Sequence, residues 1–196
     1  LVTIPAGELF ITLGDRWCGH ANIYFLGEGD HLTDLGLEDL RYNGEYMNLA
    51  HEDELWDWMA EVEESWGPTL LLHHHPGLQG MGVDWSCYKA EAAARYVPAV
   101  EVYSRHGNSM SLDSPFDPPW TGSAKGSMVT DAIDPDGHAF RLGFVASTDG
   151  HDTRPGAVTR VDTQMLHHPY GGGLTIAVLP EDEVLDRDTI YDAIVQ

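Results

Sequence analysis

The chain has 196 residues, of which 42% are hydrophobic and 10% aromatic. That is enough apolar material to bury one core across residues 1–196, and disorder would need less of it. Ten Lys and Arg against 32 Asp and Glu leave a formal charge of −22. Such a charge repels phosphate backbones and anionic lipid surfaces, excluding general nucleic-acid and membrane-surface binding.

The chain opens at Leu1 without a Met and enters a strand at once, as if cut from a longer protein. Ile4–Thr12 and Ala21–Leu26 are apolar, β-branched and aromatic, and read as strands joined by a loop over Gly14–Gly19. Leu32–Asn48 is polar and punctuated by Gly, with no clear element. Glu52–Trp66 carries Leu55, Trp58, Met59, Val62 and Trp66 at three- and four-residue spacing, the stripe of an amphipathic helix. Acidic residues in its first turn suit the positive end of the helix dipole, and Gly67-Pro68 stops it. Thr69–His73 is a short buried strand, Asp84–Tyr96 a helix ending before Pro98, and Ala99–Ser104 a further strand. Asn108–Gly137 is a long excursion rich in Pro and Gly. Leu142–Ser147 and Gly173–Leu179 read as strands and Asp186–Val195 as a helix that the chain end at Gln196 interrupts. Strands alternating with helices argue for an α/β architecture.

No apolar run reaches the roughly 18–20 residues of a membrane span. No secretory leader is visible, but the start of the protein reads as missing, so the location is left open with the cytoplasm favoured. Lys occurs only at Lys89 and Lys125, a composition shared by salt-adapted and by ordinary acidic proteins. Cys18 and Cys87 form no disulfide framework and no CxxC pair; two reduced thiols are expected, one isolated disulfide being the alternative.

The polar clusters fall at strand ends. His73-His74-His75-Pro76-Gly77 follows one strand, Glu101 and His106 belong to the next, and Thr148-Asp149-Gly150-His151-Asp152 follows a third. Glu8 lies in the first strand region and His20 opens the second. In α/β folds, sites gather at the carboxyl ends of parallel strands. Imidazole and carboxylate together suit Zn, Mn, Fe or Ni, and a carboxylate can bridge two such cations. Pro76 is expected to hold His75 extended. His167-His168-Pro169, before Gly171-Gly172-Gly173, reads as a loop at the rim of the site. His31, His51 and His138 read as solvated. There is no G-x-S-x-G elbow, P-loop or dinucleotide-binding glycine fingerprint.

At these residues the sequence resembles the PHP superfamily, the polymerase and histidinol phosphatase metallohydrolases. The resemblance is carried by Ile4-Pro5-Ala6-Gly7-Glu8, Gly19-His20-Ala21-Asn22, His73-His74-His75-Pro76-Gly77, Val100-Glu101 through His106-Gly107, Gly143 through His151, Arg154-Pro155-Gly156, and Gly171-Gly172-Gly173-Leu174-Thr175. It implies a distorted (β/α)7 barrel of the TIM-like kind, incomplete at the N-terminus, with two or three divalent ions (Zn, Mn or Fe) at its mouth. It implies Glu8 as bridging carboxylate and His20, His75 (or His74), Asp149 and His151 as further ligands. Asp149, His151 and His106 would carry the catalysis. Glu101 and Arg154 would face the substrate, Arg154 as an anion clamp. The family's opening His-x-His motif has no counterpart in this chain.

Two functions are expected from these residues. The first is a metal-dependent hydrolase of a small anionic substrate, a phosphoester by default. The second is a catalytically incomplete barrel fragment serving as a binding or structural module.

Overall fold

The computed structural model describes residues 2, 4, 6–26, 42–43, 46–118, 122–150 and 170–195. Its centre is a mixed eight-stranded sheet. The strands are β1 (Ala6–Leu13), β2 (Arg16–Phe25), β3 (Tyr42–Asn43), β4 (Tyr46–Leu49), β5 (Thr69–His73), β6 (Ala99–Ser104), β7 (Gly107–Asn108) and β8 (Gly143–Ala146). They run in the order β3-β4-β1-β2-β5-β6-β7, with β8 also paired to β6. The helices are α1 (Glu52–Trp66), α2 (Ala90–Ala93), α3 (Val129–Ile133) and α4 (Arg187–Val195).

This arrangement corrects the expected barrel. Among the described residues the sheet does not close on itself, and it is not a (β/α)7 barrel. The reason lies at the start of the chain. Gly14, at φ +61°, and Asp15 turn β1 directly back as β2, an antiparallel hairpin with no crossover helix. A barrel of that kind needs each strand to return in parallel through a helix. Here β2 also pairs antiparallel with β5. Only β1/β4, β5/β6 and β6/β8 are parallel.

The hairpin changes the second strand as well. The expected Gly14–Gly19 loop is only a two-residue turn, so Cys18 and His20 stand inside β2 rather than before it. Gly19 sits at φ +99°, and a Cβ there would come 2.9 Å from the Val83 backbone. Only glycine lets this strand approach that segment so closely.

α1 and β5 have the expected bounds, as does β6. Leu55, Trp58, Met59 and Val62 bury the predicted face of α1 against one face of the sheet, with Leu9, Ile11, Ile23, Leu71 and Val100. The other face carries a smaller cluster, Leu26, Leu70 and Leu72, against which Tyr191 and Ile194 of α4 pack. Sheet side chains alternate between faces. His20, Asn22 and Tyr24 on β2 therefore share this second face with Leu70 and Leu72.

Three further expectations are corrected. The helix over Asp84–Tyr96 is broken: Trp85–Cys87 is one 3-10 turn, held because the Asp84 side chain accepts from the Ser86 N–H. α2 starts afresh after Lys89, whose N–H donates to Glu52. Gly173–Leu179 forms no strand; Leu174, Ile176 and Val178 are exposed. Its first residues instead hug β8, where the Gly173 N–H donates to the Ser147 carbonyl at 2.7 Å. A Cβ on Gly173 would lie 2.4 Å from that of Ala146, and one on Gly172 2.7 Å from Thr148 Cα. Gly172 and Gly173 thus serve close approach to the end of β8. Lastly, Cys18 and Cys87 are not reduced thiols but a disulfide, with Cα atoms 5.9 Å apart.

Candidate metal centre

The parallel strands β5, β6 and β8 end together. Just past their carboxyl ends lie His74 and His75, His106, and Asp149. β2, antiparallel to β5, brings His20 to the same place, since Ala21 pairs with His73. The placement at strand ends read from the sequence is thus what the sheet produces.

Two groups of side chains could each hold a metal ion. They are His20, His74 and His75, and His75, His106 and Asp149; within each, one ligand atom per residue lies within 4.8 Å of the others. His75 belongs to both. All four histidines are buried. The His106 Nε2 lies 2.6 Å and the His75 Nε2 3.9 Å from Asp149 Oδ2. The four rings form a chain of contacts: His20 and His74 are 5.5 Å apart between centroids, His20 and His75 4.8 Å, and His75 and His106 4.8 Å.

Glu8, 41% exposed, stands at the edge of this cluster. Its Oε1 is 3.2 Å from His20 Nδ1 and 3.0 Å from His74 Nε2. Through these two contacts it holds His20 and His74 in orientation, as carboxylates beside metal-bound histidines do. Phe10, opposite His20 across the hairpin, covers that ring at a centroid distance of 4.1 Å.

The electrostatics follow from burial and pairing. Hydrogen bonds from His20 and then His74 hold the Glu8 carboxyl well below its ordinary range. Burial pushes Asp149 upward, but the His106 hydrogen bond and the neighbouring imidazoles outweigh it and keep Asp149 ionised. Burial, reinforced by the charge of His74, lowers His75 well below an ordinary histidine. A neutral imidazole is the form that ligates a metal. His74 goes the other way: burial lowers it, yet the bond to Glu8 and the nearby carboxylates raise it overall.

Two observations fit these residues to a cation. His74 Nδ1 and His75 Nδ1 are buried with no hydrogen-bond partner among the described residues. Each such orphan costs about 1–3 kcal/mol unless something satisfies it. In addition, His75 and Asp149 have φ of +33° and +46°. Non-glycine residues there carry roughly 1–3 kcal/mol of strain, a feature that gathers at functional sites. His75 is therefore not held extended by Pro76, as the sequence suggested.

Glu101 is fully buried in β6. Its Oε1 accepts the His75 N–H at 2.9 Å and its Oε2 the Ser147 hydroxyl. Burial raises its carboxyl above the ordinary range. It fixes the backbone of the shared ligand rather than joining either group. His73 supports the cluster from beneath: its Nδ1 is 3.2 Å from the His20 carbonyl oxygen, and its ring packs on Trp85 and Tyr88. The sequence places His73 and Ser147 at the ends of apolar strands, but no local signal marks either as a support of the cluster.

His151 and Arg154 lie outside the described residues, as do His31, His167 and His168. His51 is exposed at the start of α1, and His138 is half-buried beside Phe140. Among the described residues no helix is long and apolar enough to cross a membrane. Comparison with protein-family models, curated proteins and solved structures finds no match for this chain.

Proposed function

We propose that this protein is a metal-dependent hydrolase that cleaves a small anionic ester, a phosphomonoester being the working class. The observation that carries the reading is the pair of buried ligand groups sharing His75. Four imidazoles with one carboxylate suit Zn, Mn or Fe. His20, His74 and His75 would hold one ion, and His75, His106 and Asp149 a second. Bound there, the ions would supply an activated water and stabilise charge on a phosphoryl or carbonyl oxygen.

The remaining residues have roles that their contacts support. Glu8 orients His20 and His74. Glu101 fixes the His75 backbone. Cations bound by the cluster would also offset the overall charge of −22 locally, giving an anionic substrate a favourable place on an acidic protein. In the reaction, a water oxygen bonds to phosphorus. The bond from phosphorus to the alcohol oxygen breaks with its electron pair on that oxygen. One water proton ends on the alcohol, so alcohol and inorganic phosphate leave. The ligand geometry supports the metal-dependent part of the reading; the phosphomonoester as working class comes from the PHP resemblance at His74-His75-Pro76 and Asp149.

The test is a panel of phosphomonoesters assayed with Zn, Mn or Fe supplied, on the chain and on Asp149→Asn. Metal-dependent turnover lost in the variant supports the reading. Turnover that Asp149→Asn leaves unchanged would remove Asp149 from the site.

A further inference from the structure

The sheet face that bears the ligand cluster continues into a cavity of about 180 Å³. Three elements lead from one to the other. On β2, Asn22 follows His20 by two residues; on β5, Leu72 precedes His74 by two; after β8, Ser147 precedes Asp149 by two. Within β2 that spacing is about 7 Å. On all three segments a residue lining the cavity thus stands two positions from a ligand. Glu101 joins the two spaces: it lines the cavity and anchors the His75 backbone.

Away from that polar end the walls are hydrocarbon. Leu26, Leu70, Leu72, Val145 and Ile194 form them. The polar groups nearby are already engaged. The Thr175 hydroxyl bonds the Ala146 backbone, and Glu101 already accepts from His75 and Ser147. Such walls offer nothing to a second charged group. An apolar cavity of about 150 Å³ accepts benzene, so this one accommodates a group of that size.

We propose that the cavity receives an apolar group of the substrate, a phenyl ring or an alkyl chain of about six carbons. That group would be carried on the ester oxygen whose phosphoryl end lies over the ligand cluster. The proposal rests on the hydrolase reading and narrows its substrate to an aryl or medium-chain alkyl phosphomonoester. The products are the corresponding phenol or alcohol and inorganic phosphate.

Phenylphosphonate and methylphosphonate, which cannot be hydrolysed, are titrated calorimetrically into the full chain carrying its metal. The phenyl compound is expected to bind at least tenfold tighter. Val145→Phe, which fills the cavity from one wall, should erase that preference while leaving the metal content as it was. Ile194→Trp fills it from the opposite wall should Val145→Phe fail to fold. Equal affinities for the two phosphonates, or a preference that both fillings leave intact, would overturn the proposal. Absence of metal with no binding of either phosphonate is the separate failure of the hydrolase reading. The neutral probe toluene then decides the cavity alone. A saturation-transfer NMR signal that the filled variants lose supports an apolar-group pocket, and no signal with the unaltered chain overturns it.

Discussion

Removing the Cys18–Cys87 disulfide should cost the fold a large share of its stability. The bridge joins β2 to the 3-10 turn across a sequence separation of 69 residues. In the chain-entropy account, tying a loop of that length in the unfolded chain stabilises the folded state by about 4 kcal/mol. Total stability of a domain is typically about 5–15 kcal/mol, so the loss is a substantial fraction. Both sulfurs sit in the core beside Trp85 and Tyr88, and the Cα separation of 5.9 Å suits a bridge without backbone movement. The assay is urea unfolding of the oxidised chain, the reduced chain and the Cys18→Ala/Cys87→Ala double variant, followed by tryptophan fluorescence. Reduction should lower the midpoint by an amount worth about 4 kcal/mol, and the double variant by a similar amount. A midpoint that reduction leaves unchanged would refute the reasoning. Because Cys18 stands two residues before His20 on β2, reduction should also weaken metal retention, which dialysis followed by elemental analysis would reveal.

Two other perturbations are diagnostic. His75→Ala removes the side chain common to both ligand groups, so it should strip the metal from both. Asp149→Asn weakens only the second group and should leave about half of the wild-type metal; equal retention in the two variants would contradict the shared-ligand geometry. Acid should weaken the fold through His73, whose burial lowers it from 6.5 to about 4. Above the ordinary value neither state binds the proton and His73 contributes nothing. As the pH falls from 6.5 toward 4, the unfolded chain takes the proton and the folded one does not. Stability therefore drops by up to about 3 kcal/mol and levels off below 4. His73→Asn keeps a donor for the His20 carbonyl and should flatten that part of the urea-midpoint profile; an identical slope in the variant would exclude His73 as its source.

How much of this was legible in the sequence depended on how local each signal was. α1 could be read to the residue because its apolar stripe and the Gly67-Pro68 stop are both contained within it. β5 and β6 were equally plain, as short apolar runs bounded by Pro68 and Pro98. His74, His75, His106 and Asp149 were identifiable because each follows an apolar strand directly, at the sheet edge where α/β folds gather their ligands. The barrel was not legible, and its failure has a specific cause. The local signal pointed the other way, since Gly14-Asp15 between two apolar runs suits a hairpin and leaves no room for a crossover helix; the pairing of β2 with β5, which spans some fifty residues, has no local signal. The pairing of Cys18 with Cys87 is non-local in the same sense. The role of Glu8 illustrates a finer limit. Spacing placed it near the histidines, but only the register of β1 on β2 decides that it meets the rings of His20 and His74.

The central claim is that His20, His74, His75, His106 and Asp149 hold metal, and the most direct measurement is metal content per folded chain. Elemental mass spectrometry after purification without chelators should find about two Zn, Mn or Fe ions per chain, one for each ligand group. A folded, disulfide-bonded chain that carries no metal, and takes up none when Zn, Mn and Fe are supplied, would contradict the account.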